Sequence, residues 1–124
     1  MSTYTSFTQL DCWQRCRAAK VWTYAFLKNV PKTEYDIHDN LKRAARSTTR
    51  NLAEGFGRHS HKENTHFCRI ARGSLQEMLD DLDDIVIQEY ATREASMEGV
   101  VLIKAAIKSI NGYINYIARF AKAS

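Results

Sequence analysis

Residues 43–58, RAARSTTRNLAEGFGR, decide the fold class of this chain. Small or apolar residues recur there at helical spacing, at positions 41, 45, 48 and 52. Arg43, Arg46 and Arg50 fall on the opposite side of the same helix. A helix with a narrow inner face packs closely against its neighbours, and an outer row of arginines can meet an anion. The segment therefore predicts a packed helical scaffold that presents positive charge, with no evident catalytic apparatus.

The remaining sequence predicts three further helices and no strands. The only proline, Pro31, ends the first helix in a loop over residues 29–35. Four helical segments are expected, at about residues 7–29, 37–56, 60–89 and 92–120, with Thr92 as the cap of the last. Short connections make consecutive helices antiparallel. The sequence therefore predicts one all-α domain over residues 1–124, an up-down-up-down antiparallel four-helix bundle.

Particular residue types mark the junction between the second and third helices. Gly55 and Gly57 supply the permissive backbone that is typical of a helix end. Ser60 and Glu63 have the spacing of a capping box. In that motif the serine oxygen accepts a hydrogen bond from an orphan N–H, and the glutamate reaches back to the cap.

Apolar residues at helical spacing mark the inner face of each helix. The first helix has an imperfect stripe, the third has a very wide one, and the isoleucines of the fourth form a heptad seam. The expected inner residues are Leu10, Trp13, Val21, Tyr24 and Leu27 in the first helix, Phe67, Ala71, Ser74, Leu75, Met78, Leu79, Leu82, Ile85 and Val86 in the third, and Ile103, Ile107, Ile110, Ile114, Ile117 and Ala121 in the fourth.

Surplus small and apolar residues predict a homo-oligomer. The back of the fourth helix carries a second stripe of Val101, Ala105, Gly112 and Tyr116, opposite the isoleucine seam. A glycine inside a helix costs about 1 kcal/mol relative to alanine, which is easier to understand where another backbone comes close. The alternative is that these are scattered surface residues, which are common.

Charge and cysteine content limit the classes of protein to which this chain can belong. The net charge of +4 is uneven, because residues 1–62 carry +6 and residues 63–124 carry −2. Such asymmetry predicts an anionic partner or charge-complementary packing, with solvated faces as the alternative. Three cysteines, no signal-peptide pattern and no long apolar run predict a reduced, cytoplasmic protein without a membrane span. Cys12 and Cys16, four residues apart, are expected to be small packing residues.

Catalytic and metal-binding arrangements are poorly supported. Di-iron bundles use two Glu-x-x-His motifs, and this chain has one, Glu63 to His66. The acidic residues of the third helix edge its apolar stripe, and the histidine cluster lacks the spacing of zinc ligands. We therefore expect no enzyme activity, no metal and no cofactor. The residues considered were Glu77, Asp80, Asp81, Asp84, His59, His61 and Cys68.

A basic row along the second helix and the start of the third predicts contact with RNA or DNA. Each cation could neutralise one phosphate, although Phe56 is the only aromatic residue nearby in the sequence. Alternatively the arginines pair with carboxylates and hold subunits together, since Arg50 and Glu54 are four residues apart on one face. The candidate residues are Arg43, Arg46, Arg50, Arg58 and Lys62, together with Lys42, Arg69 and Arg72.

The motifs P-x-x-E-Y, LKRAARS, NLAEGFGRHS-x-KE and IARGSLQE resemble the 23S rRNA intervening-sequence protein family over nearly the whole chain. The resemblance implies a homopentamer of up-down bundles. It also implies a relation to the accessory variability determinant proteins of diversity-generating retroelements, which are basic pentamers that bind a reverse transcriptase and nucleic acid. Residues Arg43, Asn51, Glu54, Gly55 and Arg58 match the motif, and Asn51 and Glu54 are expected to form a polar pair that fixes helix packing or a subunit contact.

Together these observations predict a non-enzymatic, oligomeric bundle that binds nucleic-acid phosphates through a basic face on the second helix. The alternative is an adaptor that docks a partner enzyme such as a reverse transcriptase, with the nucleic acid held by that partner.

Overall fold

The computed structural model describes residues 4–123, and the side chains of residues 4–120. These residues contain no strand. A short 3-10 turn, Phe7–Gln9, precedes four helices, so the predicted all-α class is confirmed. The helices are α1 (Asp11–Leu27), α2 (Tyr35–Phe56), α3 (His61–Ile87) and α4 (Arg93–Ala123). No helix in the described part of the chain is long and apolar enough to cross a bilayer.

The four helices close into a bundle in chain order. Each helix contacts the next one along the chain, and α1 also contacts α4. At the start of α1, Asp11 accepts a hydrogen bond from Ser109 Oγ in the second half of α4, at 2.6 Å. Near the end of α1, the Trp22 ring lies against Gly99 in the first half of α4. These two contacts show that α1 and α4 run antiparallel, as an up-down-up-down bundle requires.

The buried core confirms most of the predicted inner faces. In α2, Leu41, Ala45, Thr48 and Leu52 are all buried. The α3 row is buried apart from half-buried Phe67, Leu79 and Val86. In the α4 seam, Ile103, Ile110 and Ile117 are buried, Ile107 and Ile114 are half-buried, and Ala121 lies outside the described side chains.

The predicted inner stripe of α1 is partly wrong. Val21 is 50% exposed, and the residues that face the core are mostly small. They step by four, three, four and three along the helix, which is the spacing of a seam that stays in contact with its neighbours. The prediction followed the largest apolar side chains, whereas close helix packing selected small ones. The buried stripe is Cys12, Cys16, Ala19, Thr23 and Phe26, and the predicted residues Leu10 and Leu27 are buried as well.

All three cysteines are free and buried, which confirms the packing role of Cys12 and Cys16. Burial raises the pKa of each thiol. The thiols are therefore protonated, unreactive parts of the core at neutral pH.

The helix starts differ from prediction in two details. The first helix begins at Asp11 and not near residue 7, because buried Leu10 is extended, with φ −69° and ψ 127°. Ser60 caps α3 as predicted, since its Oγ accepts a hydrogen bond from the Glu63 N–H at 3.2 Å. The Glu63 carboxylate, however, lies 3.8 Å from Arg58, so the capping box is incomplete. Thr92 caps α4 as predicted, at 3.1 Å from the Ala95 N–H.

Gly55 allows close packing and does not supply a permissive helix end, so that prediction was wrong. No glycine in the described residues has a positive φ, and Gly57 has φ −76°. A Cβ on Gly55 would lie 2.8 Å from Asn64 Oδ1 and 2.9 Å from Phe67 Cβ. The absence of a side chain at Gly55 therefore lets α2 and α3 approach each other closely.

Glu89 is the one left-handed residue in the described chain, with φ 65°. The last helical residue of α3 is Ile87, two residues before the predicted end at about residue 89. The Glu89 N–H bonds to the Val86 carbonyl at 3.0 Å, and the Tyr90 N–H bonds to the Ile85 carbonyl at 3.1 Å. This is a Schellman ending with glutamate at the position that usually holds glycine.

Candidate nucleic-acid interface

The arginine row of α2 lies on the outer face of the bundle, as predicted. Arg43, Arg46 and Arg50 are all exposed. Their surroundings nevertheless differ, because Arg46 lines a groove that α1 helps to form, whereas Arg43 lines a pocket against α3. The row is thus divided between two sides of the same helix.

On the α3 side, Arg43 lies next to acidic side chains. Its Nη2 donates to Asn40 Oδ1 at 3.3 Å, and its pocket also contains Glu77, Asp80 and Asp81. Burial raises the pKa of Asp81, its acidic neighbours raise it further, and Arg43 opposes them. The positive charge of Arg43 is therefore partly compensated within the chain.

Arg58 is held at the junction of α2 and α3. Its Nη2 contacts Glu54 Oε1 at 2.7 Å, its Nη1 lies 3.8 Å from Glu63, and its guanidinium lies 5.1 Å from the centre of the Phe67 ring. Glu54 thus pairs with Arg58, and the suggested pairing with Arg50 is not formed in this chain. Lys62, in the first turn of α3, is exposed.

On the α1 side, a groove of about 630 Å³ collects positive charge and aromatic rings. It contains four cations and one carboxylate, that of Asp39. Tyr35 at the start of α2 is 72% exposed, and Tyr24 of α1 is half-buried. We call this the basic groove; its lining is Tyr24, Leu27, Lys28, Lys32, Tyr35, His38, Asp39, Lys42 and Arg46.

The positive charge continues beyond the basic groove along the junction of α1 and α2. Lys20 Nζ donates to Thr49 Oγ1 at 2.9 Å. Burial, together with the charges of Arg17 and Arg50, lowers the pKa of Lys20. Lys20 therefore has a repelling cation on each of the two helices, Arg17 on α1 and Arg50 on α2.

These cations form one surface, which we call the basic face. Within the part of the chain that the structure describes, none of them has a carboxylate within 4.0 Å. Unpaired cations that repel one another attract an anion more strongly than cations that already have partners. The basic face consists of Arg17, Lys20, Lys28, Lys32, Lys42, Arg46 and Arg50.

Sequence reasoning missed the α1 half of the basic face. It considered α2 and α3 alone, although positions 17, 20, 24 and 28 step by three, four and four and therefore share one side of α1. That spacing could have found Arg17, Lys20 and Lys28. Tyr35, Lys42 and Arg46 step by seven and four and therefore share one side of α2. That spacing could also have found Tyr35, but the prediction began the second helix at about residue 37.

The residues predicted to be structural lie in two separate networks. Asn51 Nδ2 donates to the Ser47 carbonyl at 2.8 Å and to Ser47 Oγ at 2.9 Å, and Ser74 Oγ of α3 donates to the same Oγ. This chain of hydrogen bonds joins α2 to α3. Glu54 instead contacts Arg58, so Asn51 and Glu54 serve different contacts within the chain.

The back of α4 is open in part. A Cβ on Gly112 would meet nothing within 4 Å, Ala105 is half-buried, and Val101 is 62% exposed. Tyr116 differs, because its ring packs within the chain, 5.9 Å from the Tyr4 ring and 4.7 Å from the Phe120 ring. Gly112 and Val101 therefore have no packing role in a single chain, whereas Tyr116 has one.

The residues considered as metal ligands do not converge. Among the described residues, no three histidine, cysteine, aspartate or glutamate side chains form a group that could hold a metal ion. Glu63 faces Arg58, and the His66 ring packs edge-on against Phe67 at 5.7 Å.

The fold and the interface define a class of protein: an antiparallel four-helix bundle with unpaired positive charge along the junction of two helices. Within this class, the chain belongs to the 23S rRNA-intervening sequence protein family, whose family model matches residues 8–112. This match confirms the resemblance that the sequence motifs indicated. No curated protein matches the sequence significantly.

Proposed function

We propose that this chain is a non-enzymatic, oligomeric bundle that binds RNA or DNA through backbone phosphates, and that the basic face makes the contact. The observation that carries the proposal is the unpaired charge of that face, which has seven cations and Asp39 as the one carboxylate in its groove. Each phosphate contact releases counterions, so the affinity falls as salt rises. The binding surface is centred on the α1/α2 junction, with Arg43, Arg58 and Lys62 in supporting positions.

The test compares salt dependence before and after removal of two central charges. Arg46→Gln combined with Arg50→Gln keeps side-chain length and helix propensity while removing charge. Binding of labelled RNA and DNA is measured by fluorescence anisotropy over a range of salt concentrations. Each contact contributes about 0.7–0.9 to the logarithmic salt slope, so the double variant should lower the slope by about 1.4–1.8 per bound chain.

A matched control removes the same net charge elsewhere. Lys104 and Lys108 are exposed on α4, away from the basic face, and their replacement by glutamine should leave the slope nearly unchanged. An equal slope for the wild type and the Arg46/Arg50 variant, with the oligomer intact, would overturn the proposal. If the arginines instead pair with carboxylates of another subunit, the same variant should show a smaller mass or a lower melting temperature with unchanged intrinsic binding.

We also propose that the chain works as a homopentamer in the cytoplasm. Support for assembly comes from Gly112 and from exposed Met97 and Val101, all on α4. Support for the compartment comes from three unpaired cysteines. Native mass spectrometry at micromolar concentration should give five-fold assemblies, and a dominant monomer would contradict this.

Gly112→Ala tests the subunit contact on α4. If another backbone lies against Gly112, the added methyl group should reduce the number of subunits in the assembly or the affinity between them. If Gly112 faces water, the same change should stabilise the chain by about 0.8–1 kcal/mol and leave the mass unchanged.

The second candidate function is an adaptor that docks an enzyme such as a reverse transcriptase. Exposed Met97 and Val101 favour it where the subunit contact on α4 leaves them uncovered, because exposed apolar side chains on one helix suit a protein partner. The adaptor predicts negligible affinity of the isolated chain for RNA or DNA at low salt, whereas the first proposal predicts strong affinity there.

A further inference from the structure

The basic groove contains an exposed aromatic ring. Tyr35 is 72% exposed, and within the described residues its ring packs against no other aromatic ring. Single exposed aromatic residues are normal on protein surfaces. Tyr35 differs because it lines the same groove as Lys28, Lys32, Lys42 and Arg46.

The loop that completes the basic groove is held in place. A ring nitrogen of His38 lies 3.1 Å from the carbonyl oxygen of Val30, whose side chain is buried. The Glu34 N–H also bonds to the Pro31 carbonyl at 3.0 Å, which closes a turn around Lys32. The groove is therefore preformed, so a ligand need not order this loop on binding.

The groove is also elongated along α2. With a rise of 1.5 Å per residue, Lys42 lies about 10 Å and Arg46 about 16 Å along the helix axis from Tyr35. Its volume of about 630 Å³ is within the range of sites that enclose small ligands. An aromatic ring at one end and cations along the length match a strand that has both a base and successive phosphates.

We infer that the basic groove binds single-stranded nucleic acid, with a base stacked on Tyr35 and phosphates on Lys42 and Arg46. A duplex presents phosphates but keeps its base faces inside the stack, whereas a single strand offers base faces to aromatic side chains. This inference rests on the proposed phosphate binding and adds the class of nucleic acid. Stacking tolerates any base, so sequence preference is weak.

The test uses ligands that separate bases from phosphates. Four probes of one length are compared by fluorescence anisotropy at one salt concentration: oligo-dT, oligo-rU, a DNA duplex, and an abasic phosphodiester strand. The variants are Tyr35→Leu, which removes the ring, and Tyr35→Phe, which keeps it. Tyr35 is exposed, so neither change should alter the fold, and circular dichroism checks this.

The wild type should bind both single strands more tightly than the duplex or the abasic strand. Tyr35→Leu should weaken single-strand binding about 5- to 150-fold, the range that corresponds to about 1–3 kcal/mol of stacking per base. Its salt slope, duplex affinity and abasic affinity should stay unchanged, and Tyr35→Phe should bind like the wild type.

The outcomes distinguish this inference from the proposed function. If Tyr35→Leu binds single strands as the wild type does, while the Arg46/Arg50 variant lowers the salt slope, the single-strand inference is wrong and phosphate binding stands. If the wild type prefers the duplex, the inference is also wrong. If the wild type binds none of the four probes at low salt, both proposals fail.

Discussion

Replacing Gly55 with alanine places a methyl group in a close contact between α2 and α3. The new Cβ would lie 2.8 Å from Asn64 Oδ1, 2.9 Å from Phe67 Cβ and 3.1 Å from the Asn64 carbonyl oxygen. The Asn64 carbonyl oxygen belongs to the backbone and Phe67 Cβ is bonded directly to it, so neither atom can rotate away from the new methyl group. Relief therefore requires the helices to separate by several tenths of an ångström, and overpacking of this kind costs about 1–3 kcal/mol.

Gly73 provides the matched control, because a Cβ there would meet nothing within 4 Å. Gly73 lies inside α3, so its alanine gains about 0.8–1 kcal/mol of helix propensity, whereas Gly55 lies next to the last residue of α2 and its alanine gains at most that amount. The overlap at Gly55 costs about 1–3 kcal/mol. Relative to the wild type, Gly73→Ala should be more stable by nearly 1 kcal/mol, and Gly55→Ala should be less stable than Gly73→Ala by at least about 1 kcal/mol.

The measurement is urea unfolding followed by circular dichroism, with all variants at one protein concentration because assembly affects apparent stability. Native mass spectrometry verifies that the three proteins have the same number of subunits. Equal stability of Gly55→Ala and Gly73→Ala would refute the close-packing role of Gly55.

Three further predictions concern single side chains. Thr23→Val should raise the unfolding free energy by about 1 kcal/mol, because the buried Thr23 hydroxyl has no hydrogen-bond partner within the described residues; an unchanged midpoint in urea would contradict this. Glu89→Gly should raise the melting temperature by several degrees, because glycine adopts a positive φ without a Cβ penalty, and Glu89→Ala, which keeps the Cβ, should gain less. Asp81→Asn should stabilise the chain at pH 7, since a raised carboxyl pKa means that ionised Asp81 destabilises the fold. That gain should vanish as the pH falls through the raised pKa and below 3.8, where the aspartate is protonated in both states, and a gain independent of pH would show that charge is not the cause.

Periodicity predicted the fold well because helix burial repeats every three or four residues. The inner faces of α2, α3 and α4 follow directly from that repeat. It was only partly right for α1, where Leu27 is buried as predicted but the small residues Cys16 and Ala19 face the core and Val21 is exposed. In such a helix the packing distance to the neighbours decides the inner face, and that distance is a tertiary property.

The candidate site was predictable only in part for a similar reason. The outward position of Arg46 and Arg50 follows from helix geometry. The partner of Glu54 does not, because Arg50 and Arg58 both lie four residues away from it. Arg58 is also close to Glu63 and to the Phe67 ring, so contacts from α3 accompany the pairing that forms. The basic groove likewise needs α1, α2 and their loop together.

Chemical labelling of the three buried thiols can measure how often the bundle opens. A protonated thiol inside a closed bundle reacts with an alkylating reagent only when a fluctuation exposes it, so the labelling rate measures how often that part of the molecule opens. Cys12 and Cys16 report on α1, and Cys68 reports on α3. Equal rates at all three positions would mean that the bundle opens as one unit, whereas faster labelling of Cys12 and Cys16 would mean that α1 detaches first. No probe needs to be introduced, because the native side chains already lie where helix separation would expose them.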